Sequence, residues 1–158
     1  QMFPEYVGHE SPYRHLAELH LSSNDMTAAA AELAALVAID ENDYDANLEL
    51  ADLLEQLGDL GGEAASLERA IWISPYDIAL HTRLAELYAA LSEPAKAVRE
   101  REAVVALGPV DMAEALYQLA LAYFAAGDHD AARREVLRAL ERAPSFPKAQ
   151  ELLLRVSG

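Results

Sequence analysis

Five histidines, His9, His15, His20, His81 and His129, are the side chains here best suited to hold a metal or carry a proton near neutral pH. A helical zinc pair needs two of them one turn apart, at i and i+4. His15 and His20 are five residues apart and point to different faces, so the histidines read as ordinary surface residues and no metal is expected. The run Asp43-Tyr44-Asp45-Ala46-Asn47 spaces its oxygens like the first half of a calcium loop. The sixth position of that loop is Leu48 where glycine is needed, and the twelfth is Leu54 where a bidentate glutamate is needed. The run reads instead as a turn whose acidic residues favour the positive end of a helix dipole. Paired carboxylates recur at the spacing of a solvated helix face. No serine sits in a Gly-x-Ser-x-Gly elbow. Gly58, Gly61 and Gly62 lack the lysine and the preceding strand of a phosphate loop. The absence of cysteine removes disulfides, thiolate metal sites and thiol nucleophiles together. The chain therefore reads as non-catalytic, with no cofactor.

What remains is the scaffold that such residues would have stood on. The 158 residues are 53% hydrophobic, dominated by the helix formers alanine and leucine. No apolar run reaches the ~18 residues that span a bilayer, so no membrane insertion is expected. The chain starts at Gln1 without a visible signal peptide, which fits a trimmed fragment. A soluble protein of the cytoplasm or the bacterial periplasm is expected, with the choice between them open. The net charge of −15 is uneven. From Glu10 to Asp77 there are 15 acidic and 2 basic residues, Arg14 and Arg69; from Ile78 onward there are 11 acidic and 10 basic. Such a surface repels phosphate backbones, which argues against nucleic acid and favours solubility or a basic partner.

Spacing reveals an internal repeat. Pro75, Pro109 and Pro144 each follow a helical stretch, 34 and 35 residues apart. Similar blocks precede them at residues 50–59, 84–93 and 119–128, and a fourth lies at 16–25. The chain thus divides into an extension or linker remnant over 1–9, four hairpins over 10–43, 44–77, 78–111 and 113–146, and a last helix over 147–158. Each hairpin begins with an apolar stripe such as Leu84, Ala85 and Tyr88. Asn24, Gly58 and Gly127 suit the left-handed residue that ends a helix. Ser92, followed by Glu93 and Pro94, reads instead as a cap with proline in the first turn. Asp111 with Glu114 reads as a capping box. In the last helix Ala149, Leu152, Leu153 and Val156 form one apolar face, as a solenoid end-cap requires. Trp72 reads as a packing residue between repeats. Arg133, Arg134, Arg138 and Arg142 read as surface partners of Glu135 and Glu141.

This pattern resembles the tetratricopeptide repeat family. Leu119, Ala120, Tyr123, Gly127, Ala132, Ala139 and Pro144 match its leucine, small, aromatic, glycine, alanine and proline positions. Three residues depart from it: Glu41 replaces the closing proline of repeat one, Glu63 follows an unusual Gly61-Gly62 pair at a small position, and Arg101 stands at an apolar one. The resemblance implies an all-α fold, a right-handed α-solenoid of helix-turn-helix hairpins whose first helices line a concave groove. Carried over position by position, the groove takes Arg14 and Glu18 from repeat one, and Asp45, Leu48, Glu49, Asp52, Glu55 and Gln56 from repeat two. It takes Thr82, Arg83, Glu86 and Ala89 from repeat three, and Tyr117, Gln118, Leu121 and Phe124 from repeat four. Some family members clamp a chaperone's C-terminal carboxylate. The matching positions here are Arg14, Glu18, Glu49, Ala79 and Arg83, whose two glutamates oppose an anion, so that clamp is expected to be absent.

The resemblance implies a non-catalytic scaffold binding a protein or peptide of basic and apolar character in the groove. Two other roles fit the same residues. The first nine residues resemble bacterial chains in which such repeats follow a gluzincin-type metallopeptidase domain, which implies an accessory, substrate-positioning or docking region of a larger enzyme. Self-association is the other, with the acidic half meeting the basic side of repeat four in a second copy. A monomer or weak homo-oligomer is expected.

Overall fold

The computed structural model describes residues 11–157; the expected extension over 1–9, with His9, and Gly158 lie outside the described residues. Among the described residues every regular element is a helix. The elements are α1 (Pro12–Ser22), α2 (Met26–Ile39), α3 (Tyr44–Leu57), α4 (Leu60–Ile73), α5 (Ile78–Ala90), α6 (Pro94–Leu107), α7 (Met112–Ala125), α8 (His129–Arg142) and α9 (Pro147–Ser157). They fall into two compact units, one ending at Pro75 and the other beginning at Tyr76. In the first, α1 packs on α2, α2 on α3 and α3 on α4. In the second, each helix from α5 to α9 packs on the next, and α9 also reaches α7.

Small residues set the closeness of these pairs. Ala29, Ala46, Ala51 and Ala70 are fully buried in the first unit, between Leu33, Leu36, Leu50 and Leu67. In the second, Ala120, Ala132, Ala139 and Ala149 alternate with Leu116, Val136 and Leu152. Alanine at a helix contact lets the partner backbone approach while the leucines fill the space left over.

Helix starts follow one rule. The side chains of Asp25, Asp43, Asp59, Asp77, Asp111 and Asp128 each accept a hydrogen bond from a backbone N–H in the first turn that follows. Each cap contributes about 1 kcal/mol, so part of the acidity has a structural purpose. The capping box at Asp111 is only half formed: Asp111 accepts from the Glu114 N–H, but the Glu114 carboxylate takes the Gln118 amide at 2.6 Å. α1 and α6, whose N-cap residues make no side-chain cap bond, carry proline in the first turn, where a missing N–H costs nothing.

Hairpin turns also share one geometry. Asn24, Gly58, Ser92 and Gly127 all have φ between 60° and 81°. The N–H of the following residue reaches back to His20, Leu54, Tyr88 or Tyr123 in the same six-residue loop. Ser92 therefore takes the left-handed turn itself; the N-cap of α6 is Glu93, which makes no side-chain cap bond, so of the expected cap only the proline in the first turn is present. Glycine is required for another reason at Gly62, where an added Cβ would lie 2.6 Å from the Asp59 carboxylate and 3.1 Å from Leu54. Gly61 would meet nothing closer than 3.7 Å. Gly62→Ala is expected to cost about 1 kcal/mol by displacing the Asp59 cap, while Gly61→Ala gains about 0.5–1 kcal/mol in helix propensity. Urea unfolding of the two variants checks the opposite signs.

The departures from the repeat pattern have local answers. Where repeat one lacks its closing proline, buried Asn47 donates to the carbonyls of Glu41 and Asp43, and Arg69 donates to Asn47 Oδ1 at 2.7 Å. Asn47 thus pins the turn that proline would have stiffened. Glu63 is buried in the first turn of α4, where the helix dipole favours its charge. Trp72 differs from expectation: it is 87% exposed. The buried stripe of α4 runs through Ala64, Leu67 and Ala70, and Trp72 falls outside it.

Candidate functional site

On the first unit, α1 and α3 carry the acidic residues that repeat register assigns to a binding face. Glu18, Asp45, Glu49, Asp52, Glu55 and Gln56 are exposed, and Leu48 is half-buried among them. Arg14 differs from these. It is buried, with its guanidinium 3.0 Å from Asp43 and 2.5 Å from Glu49. Burial pulls the Arg14 pKa down, but Glu49 and Asp43 outweigh that and hold it above the usual arginine value. Arg14 is therefore a brace between α1 and α3, and the face it supports is left almost purely anionic. The former calcium-loop residues are engaged in the same network: Asp43 caps α3 and receives Arg14, and Asn47 ties the turn.

The second unit holds a groove of about 600 Å³. Its walls are Ala85, Glu86 and Ala89 on α5, and Gln118, Leu121, Ala122 and Ala125 on α7. Ala97 and Arg101 of α6 form the floor, and Ser92 and Pro94 close one end. The expected residues Glu86, Ala89, Gln118 and Leu121 meet here. Thr82 and Arg83 are half-buried on α5 outside the lining, and the Thr82 hydroxyl donates to the Ile78 carbonyl. Repeat register missed Arg101, although its charge at an apolar helix position was the signal. Its side chain is only 12% exposed, and it meets Glu86 at 3.4 Å, whose own side chain is 66% exposed.

Tyr117 and Phe124 are half-buried against α9 and the turn that leads to it. The Tyr117 ring lies 5.1 Å from that of Phe146, and the Arg155 guanidinium stacks 4.7 Å over Phe124. Burial raises the Tyr117 pKa. The apolar end of repeat four is thus largely occupied by the chain's own last helix. Nearby, the Tyr123 hydroxyl donates to Glu102, and that bond, followed by burial, pushes its pKa up to about 12.

The histidines are not all superficial. His81 is buried, with Nδ1 2.7 Å from a Glu100 carboxylate that is equally enclosed. Arg99 donates to the other Glu100 oxygen at 2.7 Å, and this hydrogen bond is the main cause of its raised pKa. Among the described residues no three metal-ligating side chains converge. On α8, Arg138 pairs with Glu135 at 2.6 Å.

Two family models described as tetratricopeptide repeat match the chain, over residues 14–78 and 113–156, together more than half of it. The chain belongs to the tetratricopeptide repeat family. No curated protein sequence matches it. Solved structures of other tetratricopeptide-repeat proteins share its fold. YrrB, described as having an unusual peptide-binding site, superposes with a TM-score of 0.67 at 19% identity, covering 98% of this chain and 77% of its own. A MamA fragment from Desulfovibrio magneticus RS-1 gives 0.64 at 22% identity, covering 96% and 85%. The first such domain of Spaghetti (RPAP3), bound to an HSP90 peptide, gives 0.59 at 23% identity, covering 75% and 93%. Tetratricopeptide repeats are a protein–protein interaction scaffold, and no described helix here is long and apolar enough to cross a membrane.

Proposed function

We propose that this tetratricopeptide-repeat chain is a non-catalytic module that binds an extended peptide segment of another protein. The observation that carries the reading is the α5–α6–α7 groove, whose five alanines leave room for a bulky side chain between two rigid helices. Burying one leucine or phenylalanine there contributes roughly 1.5–3 kcal/mol. The anionic face of α1 and α3 suits lysine or arginine elsewhere in the partner. It acts more on the rate of encounter than on final affinity. Peptide binding by similarly folded proteins, YrrB and Spaghetti, supports the choice of ligand class.

Selection of displayed random peptides on the purified chain tests this. Ala125→Trp fills the groove from an exposed wall position and leaves the buried stripes intact. Enriched peptides that bind the wild type and lose binding to Ala125→Trp are the expected result. Equal binding to both would sink the groove as the site.

A further inference from the structure

The groove has two chemically different ends, and this difference specifies what it accepts. Pro94, Ala89 and Ala125, with Ser92 beside them, make one end mainly apolar, while Arg101, Glu86 and Gln118 make the other polar. Arg101 lies on the floor, not the rim, with a side chain 12% exposed. A guanidinium carries five donors in a planar fork. Among the described residues the acceptor it meets is Glu86, through one hydrogen bond at 3.4 Å, the outer limit of such a bond. Glu86 is itself 66% exposed and free to swing into water. A largely buried cation thus faces an open groove with one long hydrogen bond to the protein and a loosely held internal carboxylate in front of it.

Resting on the reading of the groove as a peptide site, we infer that Arg101 selects a ligand carrying an acidic side chain, which replaces Glu86 on the guanidinium. The floor position matters. A peptide backbone running between α5 and α7 reaches Arg101 with a side chain, so an aspartate or glutamate within the segment is the ligand group. From Pro94 to Arg101 is two turns of α6, roughly 10 Å. An extended chain rises about 3.3 Å per residue. The acidic residue therefore stands about three residues from a bulky apolar residue that fills the alanine end. Arg101 is a specificity-determining residue, and Glu86 is the built-in competitor that a neutral side chain cannot displace with profit.

The test uses random peptides displayed as internal fusions, without a free carboxyl terminus, selected on the wild-type chain. Enriched sequences are then made as blocked synthetic peptides and titrated. The expected motif pairs an acidic residue with a bulky apolar one at that spacing. Arg101→Ala is expected to weaken these peptides about ten- to a hundredfold, with Arg101→Lys in between because it keeps the charge and loses the fork. Glu86→Gln, an exposed change that leaves the fold alone, is expected to tighten them. Enriched peptides without an acidic residue, or bound equally well by Arg101→Ala, yet still excluded by Ala125→Trp, would overturn the role of Arg101 and leave the groove standing. No enrichment, or enrichment indifferent to Ala125→Trp, would overturn both.

Discussion

His81→Ala is expected to destabilise the second unit by about 3 kcal/mol. Glu100 is 4% exposed and sits on the buried stripe of α6 with Ala97 and Val104. His81 supplies a hydrogen bond to one of its oxygens at 2.7 Å. Without the imidazole, that oxygen loses this partner, and Arg99, itself largely exposed, remains on the other. A buried charge stripped of one partner carries most of its desolvation cost uncompensated. The double variant His81→Leu/Glu100→Leu is expected to recover most of the loss, because apolar groups of similar volume replace a buried pair at little or no cost. Urea unfolding followed by circular dichroism distinguishes the cases. A single variant within about 0.5 kcal/mol of wild type would mean that the pair is incidental to stability.

Leu152→Ala is expected to cost a similar amount, about 3 kcal/mol, by loosening α9. Leu152 is 2% exposed and belongs to the cluster with Leu116, Ala120, Val136 and Ala139. Truncating it opens a cavity where α9 packs on both α7 and α8. Leu154, on the same helix but 77% exposed, is the control, and its replacement by alanine should stay within about 0.5 kcal/mol. Amide exchange should quicken across α9 and the adjacent face of α7 in Leu152→Ala while α1 to α4 keep their protection. Uniform loss of protection through both units would contradict a local role. The same geometry bears on Tyr117 and Phe124: their truncation loosens the end-cap, so it reports on the cap as well as on a ligand.

Much of this fold was readable because repetition amplifies weak signals. The prolines near 34-residue spacing and the recurring leucine-alanine blocks predicted helices that the structure places at α3 to α8, and the Pro147 signal predicted α9. The residues lining the groove were half readable. Glu86, Gln118 and Leu121 follow from repeat register, whereas Arg101 comes from the neighbouring helix, which register treats as backing. The His81–Glu100 pair was missed because its members are 19 residues apart on different helices. Each nevertheless interrupts an apolar stripe, His81 beside Leu84 and Tyr88, and Glu100 between Ala97 and Val104. A polar residue at the centre of such a stripe was the available clue. Trp72 misled in the opposite sense, since size and apolarity suggest burial while helical phase decides it. Tyr117 and Phe124 looked open because the docking position of a final helix is not encoded in the repeat preceding it.

Within both units each helix packs mainly on its immediate successor, and that pattern governs how the chain can be made. Little native structure waits on residues that are far away in sequence, so ordering one hairpin demands closure of only a short loop. A nascent chain of this kind can commit its first hairpin while later ones are still being synthesised. The last helix is the exception, because α7 and α8 both need it to cover their apolar ends. Until α9 has formed, the α7–α8 hairpin keeps that apolar end uncovered, and a chain released after Phe146 would present it to chaperones.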